Sequence, residues 1–145
     1  MIHKLLTTLG LWLCLLIPAA GQIALTKPLP EGPNVFNITA SATFTTGAAT
    51  ATLTGVSSKY TYLCGFTVTS AGTSSATLGN ISITGTITGS LNFEYAFVSS
   101  GQGVLGIAFG PGCIQSSAKN TSIVVNVPAG GTGTVGAVTA WGYTN

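Results

Sequence analysis

The sequence predicts an all-β fold, an antiparallel sandwich or barrel of about eight strands. Three observations carry that expectation. From Val35 onward apolar residues recur with a period of two, and no stretch sustains a helical period. Clusters of Gly, Pro and Ser interrupt the alternation at short intervals, as turns do between strands. The residues between the apolar ones are largely Thr and Ser, so each strand has one apolar and one wet face, the pattern of antiparallel sheets with solvent on one side.

The elements follow in order. Residues 38–45 and 49–55 read as two short Thr-rich strands about a turn at Gly47. Residues 59–69 form the clearest strand, with Tyr60, Tyr62, Cys64, Phe66 and Val68 on one face and Thr61, Thr67 and Thr69 on the other. Residues 80–88 place Ile81, Ile83 and Ile87 together, and residues 91–98 do the same for Leu91, Phe93, Tyr95 and Phe97. A two-residue hairpin at Gly89-Ser90 is expected to join them. Residues 103–109, 121–127 and 134–143 complete the set. The longest loop of the folded region runs from Gly110 to Asn120. Loops on a rigid sandwich are the usual place for recognition; this one is equally a restrained crossover between the sheets.

The N-terminus has a different character. Met1 to Lys4 is a short basic start, Leu5 to Ile17 is mainly apolar, and Pro18 to Gly21 supplies small residues before a cleavage point. That is the pattern of a signal peptide over residues 1–21, with an apolar core short of the about 20 residues a spanning helix needs. No stable membrane span is therefore expected, and the protein should be secreted or periplasmic. Pro28, Pro30 and Pro33 make residues 22–34 an extended linker, a tether or an arm on a neighbour. Residues 35–145 are the β-domain. After cleavage two cysteines remain, Cys64 and Cys113, and an even count in an exported chain reads as a disulfide.

Composition excludes more than it assigns. The only charged residues are Lys4, Lys27, Lys59, Lys119, Glu31 and Glu94, and the single His is His3. A Ser or Cys nucleophile commonly needs a neighbouring base, and carboxylate-pair hydrolysis needs two facing acids; residues 22–145 hold no His and only two acids, Glu31 and Glu94. No catalytic residue, metal site or cofactor is expected, and the protein is read as not an enzyme. Lys27, Lys59 and Lys119 are too few and too dispersed for a nucleic-acid surface. Asn37, Asn80 and Asn120 each begin a glycosylation sequon, which is read as chance. Three residues remain as candidate ligand contacts. Trp141 and Tyr143 either face a ligand or pack in the core, and Glu94 either touches a partner or discourages edge pairing.

Residues 60–143 resemble a loose family of short β-rich structural and accessory proteins of tailed phages and prophages. The resemblance lies in Tyr60 to Phe66 (YTYLCGF), in Ile83 to Gly89 with Leu91-Asn92-Phe93, in Asn120 to Pro128 and in Ala137 to Tyr143. It implies a jelly-roll-like sandwich and a virion-associated, oligomeric role, and carries over no catalytic residue. The expectation is thus a structural or surface-exposed module, a homo-oligomer of decoration or coat type, with capsid or tail components as partners. The alternative is a secreted binding module for a carbohydrate or host surface, with a cell-surface glycan as partner.

Overall fold

The computed structural model describes residues 34–72, 77–98 and 101–145. The expected signal peptide and all of the linker before Asn34 lie outside the described residues. Nine strands are present among them: β1 (Phe36–Thr45), β2 (Ala49–Leu53), β3 (Thr61–Gly72), β4 (Thr77–Thr86), β5 (Gly89–Phe97), β6 (Gly101–Ala108), β7 (Ile114–Gln115), β8 (Ile123–Val127) and β9 (Val135–Thr144). The expectation of about eight omitted only β7, which is too short to show a period.

The strands form two antiparallel sheets. One has the order β1-β9-β3-β6, with β7 also pairing β3, and the other the order β2-β8-β4-β5. Successive strands change sheets at every connection except the β4–β5 hairpin and β6–β7. Two four-stranded sheets interleaved in this order are a jelly roll, the double Greek key. On one side of the sandwich β1 lies against β2; on the other, β5 and β6 touch only sparingly.

The core sits where the inward residues of both sheets meet. Phe44, Leu53, Leu63, Phe66, Val68, Ile81, Ile83, Phe97, Ile123, Val125, Val127 and Val138 are buried in it. Fully burying each such large side chain contributes about 1.5–3 kcal/mol. Thr and Ser fill the wet faces because a branched hydroxyl side chain suits a half-exposed pleated surface.

Two local readings of the sequence fail. Tyr60, Tyr62, Cys64, Phe66 and Val68 do not share a face. The register with β9 shifts between Leu63 and Gly65, so Cys64 is the extra residue of a β-bulge. Before the bulge Thr61 and Leu63 are buried; after it Phe66, Val68 and Ser70 are. Ile87 does not join Ile81 and Ile83 either. It lies in the turn and is 62% exposed. The hairpin closes at Thr86↔Gly89, so its two turn residues are Ile87 and Thr88, two residues before the expected Gly89-Ser90. Gly85, at a φ of 83°, breaks the alternation just before the turn, a conformation open chiefly to glycine.

Candidate functional site

The outward face of the β1-β9-β3-β6 sheet carries two of the three candidate contacts. In β9 Val138 and Ala140 point into the core, so Trp141 and Tyr143, at odd positions, point away from it. Core packing is therefore not their role. Trp141 lies over Gly65: a Cβ there would come within 2.4 Å of the indole Cζ2. The missing side chain makes room for the ring, and the ring covers the bare backbone. Tyr143 stacks on its cross-strand partner Tyr62, with centroids 4.5 Å apart and planes 9° from parallel. The Tyr62 hydroxyl donates to Gln115 Oε1 at 3.4 Å. Burial first, and then the neighbouring Tyr62, raises the Tyr143 pKa above its ordinary 10.0, so its hydroxyl keeps its proton into alkaline solution.

Hydroxyls extend this face along the strands. Ser41 and Thr139 bond at 2.8 Å, and Thr67 and Thr69 continue the same side of β3. Farther along is an open depression of about 230 Å³, lined by Thr69, Ser70, Ala71, Gln102, Val104, Val135 and Gly136. No charged side chain lies on these strands. Among the described residues only Lys59, Glu94 and Lys119 are charged. Lys59 donates from Nζ to the Asn34 carbonyl at 2.8 Å and sits over the Phe36 ring, while Lys119 lies 5.8 Å from the centroid of Tyr60. Glu94 is exposed on β5, opposite Asn80, in the other sheet. The fold thus brings Trp141 and Tyr143 together and separates Glu94 from both. No group of three His, Cys, Asp or Glu residues able to hold a metal occurs among the described residues, and no helix there is long and apolar enough to cross a membrane.

Cys64 and Cys113 form a disulfide. It holds the β6–β8 connection against the bulge of β3. The Phe109 N–H donates to the Cys64 carbonyl at 2.8 Å, and the Ser116 N–H to that of Thr61 at 2.7 Å. The Ile87 and Ser117 N–H groups then reach Gln115 and Gly85, joining this loop to the end of β4 as well. Its structure is that of a restrained crossover.

A second region was not anticipated as a surface. Leu91 and Phe93 of β5, Leu105 and Ile107 of β6, and Phe109 all point toward the core, yet each is only partly buried. The rings of Phe66, Phe93 and Phe109 cluster at centroid distances of 5.5–6.3 Å. The alternation in the sequence assigns Leu91 and Phe93 to the inner face correctly. It does not reveal that β5 and β6 are both edge strands, with little between them to cover that face.

No family model matches the chain, and no curated protein does. Among solved structures, the chain is similar to a virus-like particle of the extra small virus of the giant freshwater prawn Macrobrachium rosenbergii. The identity is 16%, over 80% of this chain and 84% of that one, with a TM-score of 0.34. The assignment of the jelly roll rests on the strand order itself.

Proposed function

We propose that the protein is a non-catalytic, assembling module of coat or virion-accessory type, acting outside the cytoplasm once a signal peptide over residues 1–21 is removed. The observation that supports this reading is the partly exposed apolar row between β5 and β6, on a molecule with almost no charge to keep copies apart. A lone secreted monomer gains nothing from leaving Phe93, Ile107 and Phe109 partly wet; a subunit that buries them against a neighbour does. Native mass spectrometry of the non-reduced protein recovered from its host tests this. A discrete multimer of chains starting at Gln22 is expected, each two hydrogens lighter than the reduced chain. A monomer at all concentrations would overturn the reading.

A second reading rests on a different observation. Trp141 and Tyr143 face outward on a sheet without charge, which suits a neutral glycan stacking on an aromatic ring. A monomer retained on a neutral polysaccharide column, and released by Trp141→Ala, would favour a secreted carbohydrate-binding module instead.

A further inference from the structure

We infer that β6 is the contact strand of that assembly, pairing antiparallel with β6 of a second copy across a two-fold axis at Leu105. The inference rests on the assembly reading and adds its partner, strand and register.

β6 pairs with β3 on one side, and among the described residues nothing pairs with its other side. The phase of its hydrogen bonds follows from one observed bond. Phe109 donates to Cys64, and the β3–β6 register continues as Ile107↔Phe66, Leu105↔Val68 and Gly103↔Ser70. Antiparallel ladders alternate between bonded and non-bonded pairs, so the odd residues of β6 bond to β3. The N–H and C=O groups of Gln102, Val104, Gly106 and Ala108 therefore point to the free edge.

Edge strands of monomeric proteins are usually blunted by a charge, a Pro, a bulge or shortness. β6 has none of these: its sequence GQGVLGIA is uncharged, free of Pro and eight residues long, and its register with β3 is unbroken. Val104 is 70% exposed beside it. Of the other edges, β2 has five residues and β5 carries Glu94. β1 is as uncharged and unbroken as β6, but it lies against β2, whereas β6 and β5 barely touch.

A second copy is the occupant that this edge fits. The strand is its own complement, since two uncharged copies meet without repulsion in either order. One register uses all four free residues: Gln102 with the partner's Ala108, and Val104 with the partner's Gly106, each pair occurring twice about the axis. Leu105 then faces the partner's Leu105 in a non-bonded pair. The area also suffices. Eight residues at about 3.4 Å rise, times roughly 20 Å for a sandwich wall whose sheets lie about 10 Å apart, is roughly 550 Å² per copy. The total, roughly 1,100 Å², clears the about 1,000 Å² expected of a specific interface. It would also cover the partly exposed Leu105, Ile107 and Phe109.

Two variants of the full chain test the register. Leu105→Cys should give a disulfide-linked dimer under mild oxidation, because Cβ atoms of a non-bonded pair lie about 4.5–5.5 Å apart. Leu78→Cys, exposed on the other sheet, should not. Gly106→Pro leaves the β3 ladder intact and removes a donor from the free edge; it should weaken association at least tenfold while circular dichroism stays native. An oligomer that persists in folded Gly106→Pro, with no Leu105→Cys cross-link, would overturn the pairing and leave the assembly reading in place. A wild-type protein that is monomeric would overturn both.

Discussion

Thr61 and Thr144 face each other across β3 and β9, both buried, and neither hydroxyl meets a hydrogen-bond partner among the described residues. Their neighbour Ser116 is buried too but fully used. It accepts from the Thr61 N–H at 3.0 Å and donates to the Ala118 carbonyl at 2.8 Å. The contrast separates two kinds of buried hydroxyl. One that binds nothing has lost its water without compensation; one that completes a backbone donor cannot be removed without stranding it. Thr61→Val and Thr144→Val keep the branched shape and should each stabilise by about 1 kcal/mol, whereas Ser116→Ala should cost about 1–3 kcal/mol. Urea unfolding of the single variants checks both signs. The two Val substitutions touch, so their sum need not hold in the double variant.

At the scale of the element, the β6–β8 connection is tied to β3 by a covalent bond as well as by backbone hydrogen bonds. The disulfide closes a loop between cysteines 49 residues apart, for which chain entropy predicts about 4 kcal/mol of stabilisation. The double variant Cys64→Ala/Cys113→Ala should lose stability of that order, read as a lower urea midpoint. The loss should centre on β7, whose backbone amides exchange hydrogen faster once the tether is gone. That the two cysteines pair was legible from their even number. That Cys64 is a bulge residue was not, because one inserted residue leaves both flanking segments alternating while reversing the phase between them. Thr61 therefore looked like the outer face, and Tyr62 like the inner. Ile87 misled for a related reason: three isoleucines at even spacing outweighed the signal of Gly85. Where alternation ran unbroken, as from Leu91 to Phe97, the inner and outer faces were read correctly. Trp141 and Tyr143 could be picked out as candidates, but their outward direction needed the phase set by Val138 and Ala140.

At the scale of the whole molecule, the scarcity of charge shapes how copies can meet. The chain has a formal net charge of +2, and the three charges among the described residues lie away from β6. Lys59 is engaged with Asn34 and Phe36, Lys119 lies over Tyr60, and Glu94 stands on the outer face of β5. Association through β6 would rest on backbone hydrogen bonds and apolar burial, neither of which salt screens. A charge-driven contact behaves differently, because the Debye length falls from about 30 Å at 0.01 M to about 3 Å at 1 M salt. The association constant measured by sedimentation should therefore change by less than about twofold over that range of sodium chloride, and ammonium sulfate should raise it, since excluded salts strengthen apolar burial. A tenfold loss of association in sodium chloride would locate the contact at the lysines and Glu94 instead. Such a result would leave the apolar row between β5 and β6 without a neighbour, and would count against the observation from which the assembly reading starts.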